Sequence, residues 1–259
     1  MTGSATTQRA SFTNERGEEL AGILDMPEST PIAFALFAHC FTCSKDLHVT
    51  KRISGALAER GIAPLRIDFT GLGESEGDFA ATTFSSNLDD LFAAAAYLES
   101  EHEAPSLLIG HSLGGAAVIA ASATLEHVKA IATIGAPSDP AHVSHLFTDK
   151  KASIREHGEA EVSIGGRPFT IRQKFLDDLQ QHALTDILAE LKKPLLIMHA
   201  PSDAIVPVDH ARALFDAAFH PKSFISLDGA DHLLSRPRDA QYAATMIAAW
   251  ANRYLTEDD

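Results

Sequence analysis

The residues with the plainest chemical promise lie at positions 110–114, where Gly110-His111-Ser112-Leu113-Gly114 sets a serine between two glycines. A serine hydroxyl is a weak nucleophile. It attacks a carbonyl only beside a base that takes its proton, and the base needs an acid to orient it. A short apolar run, Ser106-Leu107-Leu108-Ile109, precedes the serine, and a helical stretch rich in small residues over 113–124 follows it. In that setting the pentapeptide reads as a sharp strand-to-helix turn. It leaves Ser112 at a helix N-terminus, where free N–H groups favour developing negative charge. Side chains at either glycine would collide with neighbouring backbone.

An acid and then a histidine should follow after later strands. Asp203 lies in Pro201-Ser202-Asp203-Ala204, beyond a strand-like run at 195–199 and before a helical stretch. His232 lies in Gly229-Ala230-Asp231-His232, beyond the last strand-like run at 223–227. Both fall at C-terminal strand ends, the edge on which sites of open parallel sheets form. Asp228 and Asp231 are rival acids, but Asp231 adjoins His232, which makes a bond to Nδ1 awkward, and Asp228 precedes the turn that must present the histidine. A tetrahedral intermediate also needs two fixed donors for its oxyanion. Position supplies the backbone N–H of Leu113, the residue after the nucleophile, and the N–H of Phe41, in the loop after the apolar run 32–38.

Cys40-Phe41-Thr42-Cys43 occupies that loop. As C-x-x-C between a strand and a helix it also admits a thiol-redox reading, although the loop is already needed for the oxyanion hole. Only two cysteines occur, which excludes a disulfide framework of the secreted kind. His39, His111 and His199 flank strand ends, and their rings are expected to bond loop backbone. Phe41, His111 and Leu233 are the candidate pocket residues. Asp68 and the Gly71-Leu72-Gly73-Glu74-Ser75 run have a structural explanation in loop hydrogen bonds.

Apolar runs alternating with helical stretches must position these groups, which is the pattern of a parallel sheet covered on both faces. Strands are expected at 32–38, 62–67, 106–110, 128–134, 195–199 and 223–227, and helices at 46–60, 84–103, 113–124, 208–219 and 239–254. Residues 10–26 read as an antiparallel hairpin turning at 14–17. The alternation breaks over 137–193, where several histidines, a Gly165-Gly166 turn and a helix at about 170–181 suggest a cap-like insertion within a single domain spanning 1–259. The 259 residues are 45% hydrophobic and 22% charged, with a net charge of -14, which argues against a nucleic-acid or anionic-membrane partner. Residues 1–16 are polar, with no leader or anchor pattern, so a cytoplasmic protein is expected.

With these residues laid out, the chain resembles the α/β-hydrolase superfamily, and more closely the hydrolase portion of bacterial proteins in which such a domain precedes an OsmC-like domain. The resemblance is carried by Phe37-Ala38-His39-Cys40-Phe41-Thr42-Cys43-Ser44-Lys45-Asp46, Arg66-Ile67-Asp68-Phe69-Thr70-Gly71-Leu72-Gly73, Ile109 to Gly115, Ile134-Gly135-Ala136-Pro137 and Asp231-His232-Leu233-Leu234. It implies an α/β-hydrolase fold and acyl-hydrolase activity without cofactor or metal, with Ser112, Asp203 and His232 as the triad. The chain ends at Asp259, so the OsmC-like half is expected to be absent. The expected activity is carboxylester hydrolysis of short- to medium-chain substrates through an acyl-enzyme. A peptidase, amidase or thioesterase would use the same residues, and a non-catalytic binding protein or a Cys40/Cys43 redox protein are the readings from other classes.

Overall fold

The computed structural model describes residues 6–256; residues 1–5 of the polar N-terminal stretch and residues 257–259 lie outside them. The hairpin is formed by β1 (Thr6–Thr13) and β2 (Glu19–Met26), and the alternating part begins with β3 (Ala33–Ala38), α1 (His48–Ala58) and β4 (Ile62–Ile67). It continues through α2 (Phe84–Glu101), β5 (Leu107–His111), α3 (Leu113–Ser122) and β6 (Ala130–Ile134). A 3-10 segment (Pro140–Lys150), α4 (Lys151–His157), β7 (Glu159–Ile164), β8 (Arg167–Arg172), α5 (Gln173–Leu179) and α6 (Leu184–Glu190) follow. The chain then rejoins the sheet with β9 (Leu195–His199), α7 (Asp209–Ala217), β10 (Lys222–Ser226) and α8 (Pro237–Leu255).

Eight strands form one sheet in the order β1-β2-β4-β3-β5-β6-β9-β10. The pairs β1–β2 and β2–β4 are antiparallel and the remaining pairs are parallel. Continuous apolar runs form the central strands because both faces are covered. In β3, Phe34, Leu36 and Ala38 enter one core with α2 and α3, while Ala33, Ala35 and Phe37 enter the other with α1 and α8. Pro64 sits inside an interior strand but one residue outside the pairing of β2 with β4, whose last pair is Leu24–Leu65, so one flank of β4 is open there.

α2 starts at Phe84, as expected, since Thr83 accepts from the Ser86 N–H and the Ser86 hydroxyl accepts from the Thr83 N–H, a reciprocal cap. One expected boundary shifts for a physical reason. The expected helix at 170–181 begins only at Gln173, because Thr170–Arg172 complete the strand that pairs with β7 across the Gly165-Gly166 turn. That hairpin lies between β6 and β9, outside the main sheet. It is tied to the body by aromatic contacts: Phe169 meets Phe79, Phe79 meets Phe41, and Phe41 stacks on Phe175 of α5 at 5.3 Å.

Candidate active site

β5 delivers Ser112 to the C-terminal edge of the sheet, and α3 starts at the next residue. Ser112 takes φ 56° and ψ -126°, a conformation costly for a residue with a side chain and typical of functional strain. The flanking glycines make the turn possible. A Cβ on Gly110 would lie 2.3 Å from the Gly114 carbonyl oxygen, and one on Gly114 would lie 2.4 Å from the carbonyl oxygens of Ala38 and His39. The elbow is therefore pressed directly against the end of β3, where the loop carrying Phe41 begins.

The loop after β9 carries Asp203 and the loop after β10 carries His232. The His232 Nδ1–H donates to Asp203 Oδ2 at 2.7 Å, while Asp203 Oδ1 accepts from the N–H groups of Ile205 and Val206 at 2.8 and 2.9 Å. Burial alone would raise the Asp203 pKa; the hydrogen bonds from His232, Val206 and Ile205 outweigh it and hold the carboxyl below its ordinary value. The rival acids are engaged elsewhere: Asp228 accepts from the Ser226 hydroxyl and Asp231 from the Ser235 N–H.

Ser112 and His232 line one cavity of about 240 Å³, together with Phe41, Leu113, Ile205 and Leu233. Ile205 and Leu233 are exposed large apolar residues, so the cavity has a greasy rim. His142, His145 and Arg167 from the inserted segment also face it. Sequence reasoning placed the insertion near the pocket but singled out none of these three; the cluster of histidines in that segment was the available signal.

His111 does not line the cavity, contrary to expectation. It is buried beside His232, with ring centroids 5.1 Å apart, and its Nε2–H donates to the His232 carbonyl oxygen at 2.7 Å. Burial, reinforced by the nearby His232, pushes its pKa down to about 3, so the ring is a neutral prop under the His232 loop. His39 and His199 also bond loop backbone, to the carbonyls of Cys40 and Val206. Asp68 accepts from the Lys45 N–H and ammonium and from the Glu74 N–H, fixing the far end of the Phe41 loop.

The N–H groups of Phe41 and Leu113 donate to no other group among the described residues. Cys40 and Cys43 are joined by a disulfide, a pairing the sequence left open. Among the described residues no three His, Cys, Asp or Glu side chains converge as metal ligands, and no helix is long and apolar enough to cross a membrane.

The likenesses of the chain agree with this architecture. An esterase domain from a Rhodothermus marinus protein superposes with a TM-score of 0.80 at 49% identity, over 97% of this chain and 100% of that one. Est1E of Butyrivibrio proteoclasticus, solved with ferulic acid, shares the fold with a TM-score of 0.79 at 21% identity, over 96% of this chain and 100% of that one. Mouse mitochondrial palmitoyl-protein thioesterase ABHD10 is 26% identical over 190 residues, which are 69% of this chain and 62% of that protein; the match thus spans under two thirds of that relative. A model of the alpha/beta hydrolase family matches residues 35–245, and the chain belongs to that family.

Proposed function

We propose that the protein is a serine carboxylesterase in which Ser112 is the nucleophile, His232 the general base and Asp203 the orienting acid. One observation carries the reading: a serine on a strained elbow and an imidazole bonded to a buried carboxylate open onto the same apolar-rimmed cavity. Asp203 fixes the His232 tautomer with its proton on Nδ1, which leaves the Nε2 lone pair to accept the Ser112 proton. The serine oxygen attacks the ester carbonyl, and the oxyanion is received by the free N–H groups of Phe41 and Leu113. Protonated His232 then gives its proton to the departing alcohol, and in the second half-reaction it activates water to release the acid. Cavity size and the apolar rim favour a short- to medium-chain acyl group.

The thioesterase relative favours a second reading, in which the same groups cleave an acyl thioester. A series of aryl esters from acetyl to palmitoyl, with matched thioesters and anilides, separates the two. The first reading predicts the highest kcat/KM on short and medium oxygen esters and loss of turnover in Ser112→Ala. Near wild-type rates in that folded variant would overturn both.

A further inference from the structure

We infer that the Cys40–Cys43 disulfide is a positioning element of the oxyanion hole, so that ester turnover depends on the redox state of this pair. The inference rests on the proposed serine-esterase reading and adds a control to the same site.

Cys40-Phe41-Thr42-Cys43 is a four-residue turn closed by a hydrogen bond from the Cys43 N–H to the Cys40 carbonyl at 3.1 Å. Thr42, its third residue, has φ 60°. A β-branched residue in the left-handed region is sterically costly and persists only when its surroundings impose it. The disulfide imposes it from within, since the Phe41 nitrogen belongs to the ring that the bond closes. Outside the ring, Arg167 donates to the Thr42 carbonyl, the Thr42 hydroxyl donates to the Phe41 carbonyl at 2.7 Å, and the Phe41 ring stacks on Phe175. These contacts hold the Phe41 and Thr42 carbonyls and the Phe41 ring. The direction of the Phe41 N–H is set by the planar Cys40–Phe41 peptide within the ring, whose carbonyl accepts from the Cys43 N–H at 3.1 Å and from the His39 Nδ1–H at 2.8 Å. The first bond spans the turn that the disulfide closes, and reduction leaves His39 as the remaining hold on that peptide.

Both cysteines line the cavity that holds Ser112 and His232, so a small reductant that reaches the site reaches the bond. Reduction by a dithiol proceeds by thiol–disulfide exchange. Two electrons and two protons pass from the dithiol to Cys40 and Cys43, the sulfur–sulfur bond breaks, and the reductant leaves as its cyclic disulfide. The turn then relaxes around Thr42 and the Phe41 N–H loses its aim. An oxyanion donor acts mainly on the transition state, so its loss lowers kcat with little change in KM.

The test measures kcat and KM on a short aryl ester before and after dithiothreitol, with free thiols counted and the urea midpoint followed in parallel. The expected result is two thiols per chain, a kcat at least about tenfold lower, KM within about twofold, and recovery on reoxidation. Cys40→Ala with Cys43→Ala should match the reduced enzyme and ignore dithiothreitol. A reduced enzyme with two counted thiols and unchanged kcat overturns the inference while leaving the esterase reading intact. Absence of Ser112-dependent turnover in both redox states overturns the reading and the inference together.

Discussion

Replacing Asp203 by asparagine changes one atom, and the structure fixes what that atom does. Oδ1 accepts two backbone N–H groups, from Ile205 and Val206, and Oδ2 accepts from His232 Nδ1. The amide oxygen of the variant must take the Oδ1 position. The flipped amide would face its NH2 group toward two buried N–H donors, forfeiting two hydrogen bonds at about 1–3 kcal/mol each, or roughly 2–6 kcal/mol together. In the favoured orientation the NH2 group faces Nδ1, which then has to be the unprotonated nitrogen. The His232 proton moves to Nε2, and no lone pair remains to accept the Ser112 proton. The expected loss in kcat is about 10³- to 10⁴-fold, equivalent to about 4–5.5 kcal/mol of activation free energy. Steady-state hydrolysis of a short aryl ester measures it. Asp228→Asn, which alters a carboxylate that accepts from the nearby Ser226 hydroxyl and lies away from the His232–Asp203 pair, should leave kcat within about twofold. A loss under tenfold for Asp203→Asn, or a larger one for Asp228→Asn, refutes this assignment of the acid.

Gly135→Ala should damage the same pair from behind: Gly135 has φ 56°, and an added Cβ would lie 3.3 Å from His232 Nδ1 and 3.4 Å from Asp203 Oδ2. The expected outcome is a stability loss of about 1–2 kcal/mol in urea unfolding and a kcat about tenfold lower, whereas wild-type kcat would mean that the pair tolerates displacement. Stability should fall on acidification below about pH 6.5, because His39, His111 and His199 are buried with depressed pKa values and stay neutral in the fold while the unfolded chain takes up protons. Their contribution is complete above the unfolded value and is lost as pH falls toward the folded values, about 3 for His111; each ring adds a slope of up to about 1.4 kcal/mol per pH unit. Urea midpoints from neutral pH down to pH ~4.5 should therefore decline less steeply in His111→Asn, and an unaltered slope would contradict the neutral, buried ring.

The sheet and the elbow were legible because burial on both faces of a parallel strand forces an uninterrupted apolar run. The stretch at 195–199 is both the expected strand and the observed β9. The pentapeptide around Ser112 was legible for a related reason, since only small residues permit backbone to approach backbone at 2.3–2.4 Å from a would-be Cβ. The inserted segment was harder to read. In β7 and β8 only Val162 and Ile171 are fully buried, so the hairpin carries too little apolar periodicity to distinguish Thr170–Arg172 from the helix that follows. His111 does not line the pocket although it adjoins Ser112: it is the last residue of β5, while Ser112 sits on the strained turn that follows, so adjacency in sequence does not carry the two side chains to the same place. The disulfide escaped for another reason. C-x-x-C is compatible with a free pair, a metal site or a bond, and only the turn geometry distinguishes them.

The most direct measurement is labelling with a serine-directed fluorophosphonate, read by intact mass and peptide mapping on the wild-type chain, Ser112→Ala and His232→Ala. The account predicts one adduct per wild-type chain, located on Ser112, with none in either variant. A folded wild-type chain that takes up no label, or takes it up at a residue other than Ser112, would contradict it.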